Sequence, residues 1–390
     1  MCGSVGYIGK KTNSEFLLDG LSRLECRGYD SAGIACLGSK NSIECVKTSG
    51  RVSVLAELLE KKPLHGVAGI GHTRWATHGI VDDLNAHPQM DEKDSLAIVH
   101  NGIFENFQEI KHELTAEGVA FKSETDTEVA ANLLAKMLKK FGNIKEALIA
   151  FISRVSGSYS VVCLSEKFPD RLIIIRKSSP LVIGVGKNEM FVSSDAIAFH
   201  GKTDQVSFVP DNSFGFLFEN KIEIYNFSGK KIEAKIETLK FKFDPASRGT
   251  FDHFMLKEIY EQPLAIERTI ALLRERDKKG FWKASGIDSK IIKNLESLDI
   301  VAAGTSWHAG LISRFFFEEI CNIPVYVGIA SEYRFEPSIY KKNNTVLFIS
   351  QSGETADTLE ALRMVKSKNE FVLGITNVET STIVREADAV

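Results

Sequence analysis

Cys2 follows the initiator methionine directly. Loss of Met1 would leave a thiol and an unblocked α-amine on one residue. An α-amine has a pKa of about 7.7–8.0, so near neutral pH it serves as a base. Nucleophile and base then lie within reach of each other without a histidine, which is the logic of N-terminal nucleophiles. An incidental surface cysteine is the competing reading. Attack on an amide also needs donors for the oxyanion, and a backbone N–H with a side-chain amide is a common pair. His100-Asn101-Gly102 follows an apolar stretch and offers both, Asn101 an N–H2 group and Gly102 a close backbone approach. A plain Asn-Gly turn has the same spelling. An amino-acid substrate further needs a cation for its α-carboxylate and an anion for its α-amine. Arg74, in Gly71-His72-Thr73-Arg74-Trp75-Ala76-Thr77-His78-Gly79, supplies a forked donor. Asp126, in Ser123-Glu124-Thr125-Asp126-Thr127-Glu128, supplies the carboxylate, although Thr-Asp-Thr-Glu ahead of a helix is also a good N-cap. His78 taken alone reads as a structural histidine.

A second chemical signal lies far along the chain. Thr345-Val346-Leu347-Phe348-Ile349 runs into Ser350-Gln351-Ser352-Gly353-Glu354-Thr355 and then a helical pattern. Loop N–H groups at a helix start attract a phosphate without Lys or Arg, and the Ser and Thr hydroxyls add donors. A polar loop capping a helix is the alternative. No Gly-Lys-Ser/Thr is present, so this is no Walker loop, and Gly304-Thr305-Ser306-Trp307-His308 lacks the dinucleotide fingerprint. Two such loops after strands of one parallel sheet point to a ligand at its carboxyl edge. The six cysteines, 2, 26, 36, 45, 163 and 321, form no C-x-x-C and have no zinc-like spacing to His. No metal or cofactor is expected, and Cys26, Cys36, Cys45, Cys163 and Cys321 are read as buried reduced thiols.

The elements that must position these residues follow from periodicity. The first 240 or so residues mix α and β, strands predominating. Leu96–Val99, Ser160–Leu164 and Leu172–Ile175 read as strands. Glu15–Glu25, with Leu17, Leu18, Leu21 and Leu24 on one face, and Thr127–Lys140, with Val129, Leu133, Leu134 and Leu138, read as helices. Pro, Ser and Gly cluster over Lys240–Gly249, a linker pattern. A helix over Phe254–Arg276 leads to strands at Ile300–Ala303, Val325–Val327, Thr345–Ile349 and Phe371–Ile375, alternating with helices. That alternation predicts a doubly wound parallel sheet. The last residues, Asp388-Ala389-Val390, look like the start of a buried strand.

The chain has 390 residues, long enough for two or three domains. Lys plus Arg number 48 against 51 Asp plus Glu, a balance that argues against a dedicated nucleic-acid or membrane-surface binder. No secretory signal and no apolar run of transmembrane length is visible, so a cytoplasmic protein is expected.

Several motifs in order carry a resemblance: Cys2-Gly3-Ser4-Val5-Gly6-Tyr7-Ile8-Gly9, Arg27-Gly28-Tyr29-Asp30-Ser31-Ala32-Gly33, His72 to Gly79, Asn85-Ala86-His87-Pro88, His100-Asn101-Gly102-Ile103, Ser123 to Thr127, Asp252 to Pro263 and Ser350 to Leu359. Together, over essentially the whole chain, they resemble the glutamine–fructose-6-phosphate aminotransferase family. The resemblance implies a four-layer αββα N-terminal-nucleophile (class II amidotransferase) domain over 1–240. A linker and helical lead-in would span 241–290, and an incomplete doubly wound α/β sugar-isomerase (SIS) domain 291–390. It implies Cys2 as nucleophile on glutamine, Asn101 and Gly102 as oxyanion hole, and Arg74, Thr77, His78 and Asp126 as the glutamine pocket. Trp75 would gate the ammonia path. Thr305, Ser306, Ser350, Gln351, Ser352 and Thr355 would hold fructose 6-phosphate.

Ser4 stands where an apolar residue is usual and Ala303 where many members carry Cys; neither change removes a catalytic group. The family continues with a second SIS domain and a tail, which hold the Lys, Glu and His of ring opening and isomerisation. The expectation is therefore glutaminase chemistry and part of a sugar-phosphate site, in a second domain unstable alone or completed by further residues. The complete protein is expected to be a homodimer. The alternatives are the glutaminase half of another class II amidotransferase, which would need a phosphoribosyl-diphosphate site, and a sugar-phosphate-binding SIS module without isomerase chemistry.

Overall fold

A computed structural model describes residues 2–10, 14–25, 28–38, 41–75, 79–239, 250–278, 287–336 and 344–390. The chain divides into two units, Met1–Ser247 and Arg248–Val390. The expected linker at 240–249 lies wholly outside the described residues.

In the first unit the strands are β1 (Gly3–Gly9), β2 (Ser31–Leu37), β3 (Ile43–Ser49), β4 (Ala68–Arg74), β5 (Gln89–Met90), β6 (Leu96–Phe104), β7 (Gly157–Ser165), β8 (Leu172–Lys177), β9 (Val182–Val185), β10 (Glu189–Ser193), β11 (Gln205–Phe208), β12 (Ser213–Leu217), β13 (Ile222–Asn226), β14 (Lys231–Ile232) and β15 (Glu237–Thr238). They form an eight-stranded sheet, β15-β11-β9-β10-β1-β4-β2-β3, and a seven-stranded sheet, β14-β13-β12-β8-β7-β6-β5. The helices are α1 (Ser14–Leu24), α2 (Val52–Lys61), α3 (Phe107–Ala116), α4 (Asp126–Lys140) and α5 (Ile144–Arg154).

Strand alternation builds the layers, because successive side chains point to opposite faces. On β1, Val5 and Tyr7 pack with Leu17, Leu21 and Leu24 of α1 and Leu55 of α2. Ile8 faces the other way and joins Ile70, Val99, Val162 and Ile174 between the sheets. On the far sheet, Ile98, Val161 and Ile175 pack with Leu133 of α4 and Phe151 of α5. The order is helix, sheet, sheet, helix, which is the expected αββα arrangement. Each fully buried Val, Leu or Ile in these layers contributes about 1.5–3 kcal/mol relative to exposure.

The second unit is centred on β16 (Ser297–Ala302), β17 (Val325–Ile329), β18 (Asn344–Ile349) and β19 (Phe371–Ile375). All pairs are parallel, in the order β17-β16-β18-β19. The terminal residues extend this sheet: Ala389 bridges Leu373 in parallel, and the Gly374 N–H donates to the Ala389 carbonyl at 2.9 Å. The chain leaves β16 for β17 on one side and then crosses to β18 on the other. The topological switch point therefore lies between β16 and β18.

The thiols depart in part from expectation. Cys36 and Cys163 are buried, Cys45 is half-buried and Cys321 is exposed. Cys321 is the last residue of the helix Gly304–Cys321, whose nearby Phe316 and Ile320 also face solvent, so no core covers it. Cys26 lies outside the described residues.

Candidate functional site

The same alternation that builds the core brings the chemistry to one end of the inter-sheet layer. Ser4 has the parity of Ile8 on β1, His72 that of Ile70 on β4, and Asn101 that of Val99 on β6, so all three face the opposite sheet. Ser4 and His72 are direct cross-strand partners. Both reach the same atom across the layer. The Ser4 hydroxyl donates to Asn101 Oδ1 at 2.8 Å, and His72 Nε2 lies 3.1 Å from Oδ1 and 3.0 Å from the His100 carbonyl. A carbonyl is only an acceptor, so Nε2 carries the proton. The side-chain atom facing His72 is then the Asn101 oxygen, and the Asn101 N–H2 is turned the other way.

Gly3 pairs with Thr73, so Cys2 and Arg74 extend β1 and β4 at the same level. The Trp75 N–H donates to Cys2 Sγ at 3.2 Å, and the thiol contacts the Trp75 carbonyl at 3.6 Å. Gly28 packs against the same stretch of backbone, where a Cβ would lie 2.9 Å from the Arg74 carbonyl carbon and 3.0 Å from the Trp75 nitrogen. Burial pushes the Cys2 thiol up; the Trp75 N–H and Arg74 pull it back. The thiol is thus held protonated and needs a base to become a nucleophile. Burial lowers the Arg74 pKa, and Cys2, Asp126 and Asp30 oppose that shift.

Asp126 opens α4. Its Oδ2 accepts the Phe104 N–H at 2.9 Å, which ties the carboxylate to β6 three residues beyond Asn101. Thr125 is the N-cap of α4, its side chain accepting from the Glu128 N–H, so the capping reading of Thr-Asp-Thr-Glu also holds. Gly102 has φ +113°, and a Cβ there would sit 2.0 Å from the Ser158 carbonyl oxygen. Only glycine fits. Trp75 is half exposed and stacks edge-on against Tyr29 at 5.7 Å. Thr77 and His78 lie outside the described residues.

Three histidines underlie this cluster. Thr127 Oγ1 contacts His87 Nε2 at 2.8 Å and His100 Nδ1 at 3.0 Å, and its hydroxyl donates to Asp126 Oδ1 at 3.3 Å. His72 and His87 stack at 4.6 Å. Burial pushes His72 down to about 3 and His87 well below its usual value. In the unfolded chain both rings take up a proton below about pH 6.5. The folded chain refuses it, so protons favour the unfolded state. Stability is therefore expected to fall as pH drops from about 6.5 toward 3, by up to about 1.4 kcal/mol per pH unit for each ring. Urea midpoints at pH 7, 6 and 5 check this; His72→Phe should flatten the trend, and a midpoint constant from pH 7 to 5 contradicts it.

Sequence reasoning quoted His72, His87 and Thr127 within motifs without giving them a role, and it gave none to Ser4. The signal for Ser4 and His72 was their shared strand parity with Cys2 and Arg74. Among the described residues no cluster of His, Cys, Asp and Glu suited to a metal ion occurs. No described helix is long and apolar enough to cross a membrane.

In the second unit, Ala302 and Ile349 are in register, so the loops after β16 and β18 emerge side by side at the switch point. That crevice is where open α/β sheets bind ligands. Gly304 has φ +57° and starts the helix carrying Thr305 (exposed) and Ser306 (half-buried). Across from them, buried Ser350 accepts the Gly353 N–H at 3.1 Å and bonds Thr355 Oγ1 at 3.0 Å. Ser352 Oγ accepts the Glu354 N–H at 3.2 Å. The Gln351 carbonyl accepts the Asn377 N–H at 3.2 Å, which ties the loop to the one after β19. Two loop N–H groups, those of Gly353 and Glu354, are thus engaged by the loop's own serines, and an accepting hydroxyl can still donate its own hydrogen.

Comparison with known proteins agrees with both halves. A family model described as "Glutamine amidotransferase domain" matches residues 72–201, and one described as "SIS domain" matches residues 291–390. By class, the chain joins a glutamine amidotransferase domain to an SIS domain. The glutamine–fructose-6-phosphate aminotransferase (isomerizing) of Clostridium acetobutylicum is 43% identical over 388 residues, 100% of this chain and 63% of its own length. The protein of that name in Escherichia coli K12 is 39% identical over 389 residues, 100% of this chain and 64% of its own length. Over its whole length the chain is similar to glutamine–fructose-6-phosphate aminotransferases (isomerizing). It spans a little under two thirds of the length of these relatives.

Proposed function

We propose that the first unit hydrolyses glutamine and that the second contributes part of a fructose 6-phosphate site, within an enzyme that makes glucosamine 6-phosphate. One observation carries the glutaminase reading: the Asn101 amide is locked with its N–H2 turned outward, at the end of the inter-sheet layer shared by Cys2, Arg74 and Asp126. With Met1 removed, the Cys2 amine takes the thiol proton and the sulfur attacks the side-chain carbonyl carbon of glutamine. The Asn101 N–H2 and the Gly102 N–H hold the oxyanion. Arg74 binds the α-carboxylate, with Thr77 and His78 in the same pocket, and Asp126 binds the α-amine. The C–N bond breaks as the ammonium returns its proton, ammonia leaves, and water then hydrolyses the thioester to glutamate and free thiol.

Trp75 gates the path of ammonia. Thr305, Ser306, Ser350, Gln351, Ser352 and Thr355 hold the sugar phosphate. The working boundaries are 1–240 for the glutaminase, 241–290 for the lead-in and 291–390 for the SIS domain. The complete enzyme is read as a cytoplasmic homodimer. The purified chain should convert glutamine to equal amounts of glutamate and ammonia, and form no glucosamine 6-phosphate when fructose 6-phosphate is added. Absence of ammonia would sink the glutaminase reading; appearance of the sugar product would show that the isomerase chemistry lies within these 390 residues.

A further inference from the structure

We propose that the Ser4 hydroxyl is a positioning residue for the oxyanion-binding amide of Asn101. This rests on the glutaminase reading and deepens it. Ser4 is 2% exposed and its backbone is clamped on the β10 side. Its carbonyl accepts the Ser194 N–H at 3.0 Å and the Ser193 hydroxyl at 2.9 Å, and its N–H donates to Ser194 Oγ at 3.1 Å. The side chain is therefore fixed at the layer between the sheets, with its oxygen 2.8 Å from Asn101 Oδ1. Oδ1 only accepts, so the Ser4 hydroxyl donates.

His72 supplies the second donor to the same oxygen, from the neighbouring strand. Two donors on Oδ1 resist rotation of the amide about its last torsion, a broad and soft one when unrestrained. They also polarise the amide, so its N–H2 becomes a better donor to a developing oxyanion. The contact joins residues 97 positions apart and crosses from β1 to β6, so it also ties the strand that starts at the nucleophile to the strand that carries the hole. Ser4 touches no reacting atom; it acts through Asn101.

The test is steady-state glutamine hydrolysis by the full chain and three variants. Ser4→Ala should lower kcat about tenfold, less than outright loss of an oxyanion donor, with KM within about twofold. Ser4→Val, which suits a strand, should show the same loss. Ser4→Thr, which keeps the hydroxyl, should return kcat to within about threefold. Glutamate γ-semialdehyde is the second readout, because the Cys2 thiol adds to its aldehyde and leaves an oxyanion facing the same donors. Its affinity should weaken by the same factor as kcat. The rate of Cys2 alkylation by iodoacetamide, which needs no oxyanion hole, should not change. Wild-type kcat in Ser4→Ala or Ser4→Val, a loss carried by KM instead, or failure of Ser4→Thr to recover would overturn the proposal and leave the glutaminase reading intact. A wild-type chain that hydrolyses no glutamine would sink that reading, and this one with it.

Discussion

Cys2→Ala is expected to lower glutamine hydrolysis by at least about 10³-fold, because loss of a nucleophile removes the covalent route and leaves only binding and the oxyanion donors. Cys163→Ala should keep the wild-type rate. The contrast follows from where the two thiols lie. Cys2 is half-buried beside Trp75, Arg74 and Asp126. Cys163 is fully buried in the core beneath α4 and α5, its thiol pushed well up by burial, and it contacts the Leu164 carbonyl at 3.3 Å. A thiol held in that way is inert. Ammonia release under saturating glutamine measures both variants. Equal rates in the two would remove Cys2 from the mechanism.

Asn101→Asp should lower kcat by about 10²–10³-fold with little change in KM, the usual cost of one oxyanion donor. This substitution separates two roles of one side chain. Aspartate still offers an oxygen to the Ser4 hydroxyl and to His72 Nε2, so the contacts across the layer persist. It cannot supply the N–H2, and its charge repels an oxyanion. Asn101→Ala removes more, because it also leaves the buried Ser4 hydroxyl without its acceptor, at about 1–3 kcal/mol, while His72 Nε2 keeps the His100 carbonyl. A chain carrying Asn101→Asp that folds like the wild type but turns over glutamine at the wild-type rate would show that the oxyanion is held elsewhere.

Much of the first unit was legible because its chemistry obeys the same period of two as its core. Cys2 and Ser4, His72 and Arg74, and Asn101 alternate with the residues that pack outward, a parity that becomes readable once β1, β4 and β6 are known to be strands. Glycine positions were legible for a related reason: at Gly102 a positive φ and a carbonyl 2.0 Å from any Cβ leave no alternative. The Thr125–Glu128 stretch was legible twice over, since Thr125 caps α4 while Asp126 turns its carboxylate to the Phe104 N–H.

What stayed hidden depends on contacts between distant strands. Nothing local in Cys2-Gly3-Ser4 announces a partner on β6, and the tautomer of His72 is set by the His100 carbonyl on the opposite sheet. In the second unit the serines of the Ser350–Thr355 loop were read as donors for a ligand. Ser350 and Ser352 also accept the N–H groups of their own loop, a shaping role that motif spelling does not reveal. Cys321 was misjudged because burial of a helix end depends on what packs beside it, which periodicity does not reveal.

The central claim is that Cys2, freed of Met1, forms a thioester with glutamine. The most direct measurement is the mass of the chain after a reaction with glutamine is quenched in acid, with the modified residue located by fragmentation. The account predicts a chain lacking Met1 that gains one glutamyl group, attached to Cys2 and removed by hydroxylamine. An active chain with no such adduct, or with the adduct on any other residue, would contradict it.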